Sequence, residues 1–457
     1  MAGMFGLSID PDVCGREIFS RDLFFGTFYQ QHWGEENSGI TIFNKEQIYT
    51  DTKRWLFRVN FENRLIKEKI DGTEGIGYCG PKPEPFQVSS RLGVISACFS
   101  GNVLNKKILI SHFEEKGHIF SEGHDIEVLI HILAQGNDIV DGVRKTTEMI
   151  KGAYSFVALT KEGIYAFYSP DGHWPLILGE KKGAAVVATE SNGFNNIGLR
   201  TIRELNPGEL VLLKNGKWQT IINLPAPKIQ KCSFYQVYTS YPSAVFDGTI
   251  AARVRRELGA VLAKQDIKQG FIPHMVTLIP DSGRHHALGY YEEFVRQLLA
   301  GQLSKIPFYN EVLIKYPYAG RSFTLGKEQD REFEAQIKIL ASGERFDGQI
   351  LVVCDDSIVR GNQIRANLVP KLRELGFEEI HFRISNPPLV SYCPWGKTTK
   401  KGELLAARLN SDEEKIAEFL GVKSVRFNTI GTLISTLGIP REQLCIDCDL
   451  PERDISE

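Results

Sequence analysis

Apolar positions follow two rhythms in the second half of this chain. Short apolar runs at 276–279, 311–315, 350–354 and 380–384 read as strands, and the stretches between them read as helices. After the third run, Ile364, Leu368, Leu372 and Leu375 fall at i, i+4, i+8 and i+11, one buried face of a 3.6-residue period. Pro370 lies inside that stretch and predicts a bend. Strands alternating with helices predict a mostly parallel sheet. The first half, to about Leu224, reads instead as short strands and hairpins, with strands in 93–101 and 155–172. Two helical stretches interrupt it, 126–133 with Asp125 as its cap and 143–151. The sequence Leu224-Pro225-Ala226-Pro227 reads as a linker. It predicts two domains, 1–228 and 229–457.

Composition adds little to this picture and excludes several classes. A chain of 457 residues exceeds the size at which a single core stops growing. Its 42% apolar and 24% charged residues are those of an ordinary soluble protein. A net charge of −2 gives no reason to invoke nucleic acid or an anionic membrane. No apolar run reaches the roughly 20 residues of a membrane span, and the N-terminus MAGMFGLSIDPD lacks a secretory pattern. A cytoplasmic location is expected. Eight cysteines in so long a chain do not form a disulfide scaffold and need another explanation.

The chemistry concentrates where the run 350–354 ends. Two adjacent carboxylates, Asp355 and Asp356, are followed by a short turn of Ser357, Ile358, Val359, Arg360 and Gly361, then Asn362 and Gln363 at the start of a helix. Turn amides and the positive end of a helix suit a phosphate. Carboxylates at the carboxyl end of a parallel strand stand where α/β sheets bind ligands, and they accept hydrogen bonds from vicinal hydroxyls. A surface turn with solvated acids is the bland alternative, and the SIVRG that follows argues against it.

The stretch VVCDDSIVRGNQ (352–363) resembles the phosphoribosyl pyrophosphate (PRPP) loop of type I phosphoribosyltransferases, and among them most resembles the glutamine PRPP amidotransferases, the first committed enzymes of purine biosynthesis. The resemblance implies that Asp355 and Asp356 bind the ribose hydroxyls, near Mg²⁺ carried with PRPP, and that Ser357 to Gln363 bind the 5′-phosphate. Asn362 and Gln363 depart from the family's two threonines. Likewise PDSGRHHALGY (280–290) resembles PDSSxxAAxGY, which implies a pyrophosphate role for Pro280, Asp281, Ser282 and Gly283. LIKYPYAGRSFT (313–324) resembles the flexible loop LIKNRYVGRTFI that closes over PRPP, so Lys315, Tyr318 and Arg321 would act on the substrate, with Pro317 replacing an arginine. Arg331 and Lys338 stand at positions that are basic in the family. Any one of these cations alone would read as a solvated surface charge.

The first half resembles the class II glutaminase of the same family, which has an N-terminal-nucleophile (Ntn) αββα sandwich. GTFYQQHWGEENSGI (26–40) is similar to GxxxLQHRGQEGAGI, and FSGNVLN (99–105) to HNGNLVN; KGAYSF, SPDGHWPL, ATESNGF and ELNPGEL continue the match. The resemblance therefore covers nearly the whole chain. It implies an Ntn-type α+β domain followed by a type I phosphoribosyltransferase α/β domain. The glutaminase residues themselves are missing. AGMFGL is similar to CGVFGI and puts Ala2 where the family has its nucleophilic cysteine; a methyl group does not attack an amide. The arginine of IGHVRY becomes Gly80, the oxyanion-hole asparagine becomes Ser100 beside a retained Gly101, and the arginine of HRG becomes Trp33. Asp125 matches the acid expected to hold the amino group of glutamine.

Four cysteines fall in the family's register: Cys232 in KCSFYQVY, Cys393 in NPPLVSYCPWG, and Cys445 and Cys448 in QLCIDCDL. In one branch of the family these thiols hold a [4Fe–4S] cluster, and zinc is the alternative metal. Cys79, Cys98 and Cys354 lie in apolar surroundings and read as core thiols. The combined expectation is a pentosyltransferase (a glycosyltransferase) that joins ammonia or another amine to PRPP without its own glutaminase. It would be a homo-oligomer and would take ammonia in solution or from a partner glutaminase. A non-catalytic subunit that binds PRPP or nucleotides, assembled with an active homologue, is the alternative.

Overall fold

The computed structural model describes residues 1–44, 46–318, 337–396 and 402–451. The chain divides into two compact units. Unit 1 comprises Met1–Cys232, Ser243–Asp247 and Pro394–Gly396; unit 2 comprises Ser233–Pro242, Gly248–Cys393 and Lys397–Glu457.

Unit 1 stacks two antiparallel sheets. The first has the strand order Arg200–Glu204, Ile177–Lys181, Ala184–Ala188, Gly3–Ile9, Glu74–Gly80, Asn37–Phe43, Ile48–Arg54. The second has the order Lys217–Asn223, Glu209–Lys214, Gly163–Tyr168, Gly152–Thr160, Gly93–Val103, Phe86–Ser90. Met4, Ile76 and Tyr78 of the first sheet meet Val157, Ala166 and Val211 of the second in one core. On the far side of the second sheet, Ala97, Phe99 and Phe156 pack against Leu109, Leu129 and Val143 of three helices, Lys106–Glu114, Asp125–Leu133 and Ile139–Met149. Helix Glu17–Phe28 covers the first sheet, and the layers run helix, sheet, sheet, helix. Strand Gly152–Thr160 is buried on both faces beyond its first residue, which explains why its sequence shows no polar alternation.

Both helices expected here form, with shifted starts. Asp125 is the first helical residue, not the cap; the backbone N–H of His124 before it donates to Glu127 Oε1 at 3.2 Å. The next helix begins at Ile139, capped by Asp138, whose carboxylate accepts from the Asp141 amide at 2.7 Å.

Unit 2 is built on a five-stranded parallel sheet in the order Phe308–Tyr309, Met275–Leu278, Ile350–Asp355, Glu379–Ile384, Ser424–Phe427. Leu351 and Val353 of its central strand enter one core with Leu368, Leu372 and Ile416. Val352 and Cys354 enter another, on the opposite face, with Leu262, Ala287 and Phe294. Burial on both faces is the reason this strand reads as a continuous apolar run. Arg383, in the neighbouring strand, is also buried. Its guanidinium binds Asp266 of helix Ala251–Lys268 through Nε (2.6 Å) and Nη2 (3.0 Å), while Tyr290 Oη and Arg426 Nη1 donate to the same carboxylate at 2.7 and 2.6 Å. That network ties the helix layer to the sheet.

Two expectations for this unit are corrected. The run 311–315 does not join the parallel sheet. Leu313–Lys315 pairs antiparallel with Ile339–Ala341 in a separate two-stranded ribbon, and Phe308–Tyr309 takes the sheet edge. A strand at Ser424–Phe427 was not anticipated, because Arg426 interrupts its apolar run. Ile364, Leu368, Leu372 and Leu375 are all buried as their spacing predicts. Pro370, however, does not bend a continuous α-helix. Ile364–Leu368 is wound as a π-helix, and Pro370 falls in the first turn of Val369–Glu374, where a missing N–H is tolerated.

Candidate functional site

The central strand of unit 2 delivers Asp355 and Asp356 to its carboxyl end, and both are buried (7% and 3% exposed). The sequence suggests no partners for them; the fold supplies two hydroxyls. Ser282 Oγ donates to Asp355 Oδ1 at 2.9 Å, and Ser357 Oγ donates to Asp356 Oδ2. The Asp356 amide also donates to Asp355 Oδ1 at 2.9 Å. Burial, and then the neighbouring Asp356, push the Asp355 carboxyl well above the usual range. Burial raises Asp356 too, against the pull of Ser357 and, more weakly, of Arg255. Two acids pressed together out of water favour sharing a proton until a ligand arrives.

The turn that follows is anchored by its side chains and open at its backbone. Ile358 is in the core, the Val359 carbonyl accepts from the Leu405 amide at 2.7 Å, and Arg360 pairs with Glu403 at 2.5 Å. Among the described residues, the amides of Ser357, Ile358, Val359, Arg360 and Gly361 donate to no acceptor. Such a run of N–H groups, ending at a helix start, is an anion cradle. Asn362 and Gln363 are both exposed, and Gln363 Oε1 accepts from Asn367 Nδ2 one turn along.

Pro280, Asp281, Ser282 and Gly283 form the turn that leads into helix Arg284–Leu299. A Cβ on Gly283 would lie 2.3 Å from the Cys354 carbonyl, so only glycine lets this turn lie against the central strand. Lys315 Nζ sits 2.8 Å from Asp281 Oδ2, and Arg284 bridges Glu311 (2.6 Å) and Asp281 (3.5 Å). Burial opposes ionisation of Asp281, but Lys315 and then Arg284 outweigh it and hold the carboxyl below its ordinary range. Tyr318 is exposed, and Lys338 is half-buried with its carbonyl accepting from the Tyr316 amide at 2.8 Å. Arg321 and Arg331 lie outside the described residues.

In unit 1 the fold brings Ala2, Gly80 and Ser100 together. Ala2 is buried, and its backbone N–H donates to Ser100 Oγ at 3.0 Å. A Cβ on Gly80 would stand 2.2 Å from Tyr78 Oη and 2.9 Å from Ala2 Cβ. The phenol of Tyr78 thus fills the space that a longer side chain at position 80 would start from. Glu84 is buried nearby; its Oε2 accepts from the Phe99 amide at 2.7 Å, and burial pushes its carboxyl up to about 8. Trp33 is buried, and Asp125 pairs with Lys106 at 3.2 Å. Cys79, Cys98 and Cys354 are core thiols, raised chiefly by burial.

Residues 82–196 match the glutamine amidotransferase domain family. The chain is 32% identical to an amidophosphoribosyltransferase of Methanothermobacter thermautotrophicus, an alignment that spans 99% of this chain and 98% of the relative. It is 30% identical to that of Methanocaldococcus jannaschii over 98% and 96% of the two chains. The chain belongs to the amidophosphoribosyltransferase family. The structure of the glutamine PRPP amidotransferase of Bacillus subtilis, complexed with ADP and GMP, superposes with a TM-score of 0.84 at 28% identity, covering 98% of this chain and 96% of the other. The fold is accordingly that of this amidotransferase family, a class II glutamine amidotransferase domain followed by a phosphoribosyltransferase domain.

Against that family background three residues stand out that the motifs did not single out. Arg255 is buried, and donates to the carbonyls of Gln236 (3.0 Å), Tyr238 (2.9 Å) and Ser240 (2.7 Å) while its charge reaches Asp356. It had a signal: it falls in the apolar phase of its helix, between Val254 and Leu258. Arg284 and Glu311 had none, since a charged residue in a turn reads as solvated.

Cys445 is buried and Cys448 half-buried, and the amides of Val390 and Ser391 donate to the Cys448 carbonyl at 2.8 and 3.1 Å, which draws the segment before Cys393 toward the CxxC turn. Among the described residues no three His, Cys, Asp or Glu side chains are gathered as a metal-holding group. Thiols suit the expected cluster chemically. No helix among the described residues is long and apolar enough to cross a membrane.

Proposed function

We propose that this amidotransferase homologue transfers ammonia or another amine to C1 of PRPP, with release of pyrophosphate, and does not hydrolyse glutamine. The observation that carries the first part is the buried acidic pair followed by five amides, Ser357 to Gly361, that donate to no acceptor among the described residues. Asp355 and Asp356 hold the ribose hydroxyls, and the amides from Ser357 to Gln363 hold the 5′-phosphate. Pro280 to Gly283, with Lys315, Tyr318 and Lys338, face the pyrophosphate, and Arg321 and Arg331 are assigned to it by their place in the family's motifs. The C1–O bond breaks with its electron pair on pyrophosphate, the amine nitrogen bonds C1, and its extra proton passes to solvent. Cations around the departing oxygens stabilise the growing charge. Mg²⁺ bound with PRPP would neutralise part of the pyrophosphate charge, and Asp355 and Asp356 are the carboxylates placed to share it.

The second part rests on Ala2, Gly80 and Ser100. A methyl group stands at the nucleophile position, and Tyr78 occupies the space above Gly80. The ammonia then comes from solution or from a partner, and the protein works as a cytoplasmic homo-oligomer. Cys232, Cys393, Cys445 and Cys448 would hold the [4Fe–4S] cluster, whose role would be structural. Protein purified without oxygen is then brown with about four irons per chain; colourless protein with one zinc favours the alternative metal.

The deciding experiment incubates the purified protein with PRPP, Mg²⁺ and ammonia or other amines, and follows pyrophosphate. Release that depends on the amine is the expected result, with no glutamate formed from glutamine. Tight PRPP binding without turnover would instead support a regulatory subunit, a reading that the substituted phosphate loop, with Gln363 bonded to Asn367, favours.

A further inference from the structure

Arg284 lies one residue beyond the turn that touches the acidic pair. Ser282 Oγ reaches Asp355 at 2.9 Å, so the first turn of helix Arg284–Leu299 is fixed beside the carboxylates. The segment carrying Glu311 is fixed as well, by the Asn310 amide on the Val276 carbonyl (3.0 Å) and the Val312 amide on Thr277 Oγ1 (3.3 Å). Between them lies a row of alternating charge: Lys315, Asp281, Arg284, Glu311. The two cations are compensated within the protein. A polyphosphate that reaches this rim meets two carboxylates that repel it and two cations that must leave them.

Resting on the PRPP reading above, we infer that Arg284 is a further pyrophosphate-binding residue, held in reserve by Glu311 and released to the substrate when the polyphosphate arrives. The Arg284 side chain is partly exposed, at 43%, so a ligand can reach it from solvent. It sits at the positive end of a 16-residue helix. A planar fork of donors also suits phosphate oxygens better than the single ammonium of Lys315. Glu311 acts as the competitor, because every hydrogen bond it takes from Arg284 is one withheld from the ligand.

A mere strut between two turns predicts something different. If the Arg284–Glu311 pair only braces the site, removing either partner harms binding in the same direction. If Arg284 serves the ligand, the two substitutions have opposite signs. Titration calorimetry of the full chain with Mg²⁺, using PRPP and ribose 5-phosphate as separate probes, reads this directly. Arg284→Ala should weaken PRPP about 10- to 100-fold and leave ribose 5-phosphate, which lacks the pyrophosphate, unchanged. Arg284→Lys should recover part of the loss. Glu311→Gln should tighten PRPP several-fold, and that gain should shrink when Arg284→Ala is also present. Equal loss for both probes in Arg284→Ala, or weaker PRPP binding in Glu311→Gln, overturns the inference while the PRPP site stands. A parent protein that binds neither probe overturns the PRPP reading itself, and this inference with it.

Discussion

The two candidate sites are built from opposite kinds of side chain. Around Ala2 the groups are ones that pack: a methyl, a glycine, and a tyrosine ring whose Oη lies where a Cβ at position 80 would need to be. Around Asp355, groups that oppose packing are kept. Two carboxyls sit side by side out of water, held by the hydroxyls of Ser282 and Ser357. On the function proposed above, a site relieved of chemistry is free to relax into packing, whereas one that binds a ligand keeps groups that packing alone would remove. The contrast predicts which substitutions will stabilise the protein and which will silence it.

The sharpest way to break it is Asp355→Asn. Loss of a charge-assisted hydrogen bond to a ribose hydroxyl should weaken PRPP by about 1.5–3 kcal/mol, roughly 10- to 150-fold by calorimetry. The same change should raise the melting temperature of the ligand-free protein by several degrees. The sign follows from linkage. The folded carboxyl binds its proton more tightly than the unfolded one, so stability falls as pH rises above the ordinary carboxylate range. The gain from Asn should therefore be larger at pH 8 than at pH 5. Unchanged affinity would place the ribose elsewhere.

Glu84 tests whether the unit 1 site is still fully relaxed. Its carboxyl, pushed up to about 8, makes stability decline as pH climbs from about 4.5 to about 8. Glu84→Gln keeps an acceptor for the Phe99 amide and should stabilise the protein by up to about 3 kcal/mol at pH 7, and hardly at all at pH 4, in denaturant titrations. A flat difference across pH would mean that the carboxyl is solvated.

Gly80→Arg, which moves that strand toward the family's pattern, should destabilise by about 1–3 kcal/mol through collision with Tyr78. Adding Tyr78→His should recover much of the loss, a coupling measurable as a double-mutant cycle. Ala2→Cys alone should yield no glutamate from glutamine. At the small end, Asn362→Thr should hold PRPP affinity or improve it a few-fold, since it adds a hydroxyl donor to a cradle whose backbone already serves. A large loss in that variant would mean that the asparagine itself grips the phosphate.

Much of this is legible in the sequence. Apolar runs and their spacing located three strands of the parallel sheet and the buried stripe from Ile364 to Leu375, because burial on a helix face leaves a 3.6-residue trace. The position of the acids at a strand end was equally plain. The run 311–315 misled because an apolar pentapeptide says nothing of its partner, and only the register with Ile339–Ala341 shows that it leaves the main sheet. Pro370 misled in the same way, since its effect depends on the winding of the turn before it.

By itself the sequence determined the kinds of groups present: two acids, an amide-rich turn, a methyl at position 2, four cysteines in register. Tertiary structure alone decided which of them meet. Ser282 and Asp355, separated by 73 residues, are joined because their parallel strands end together, and Asp281 meets Lys315 because the separate ribbon Leu313–Lys315 brings that lysine to the same turn. Ala2 and Ser100 meet because two sheets stack face to face. Contacts of that range are set by packing, which depends on the whole chain at once, and no local pattern encodes them.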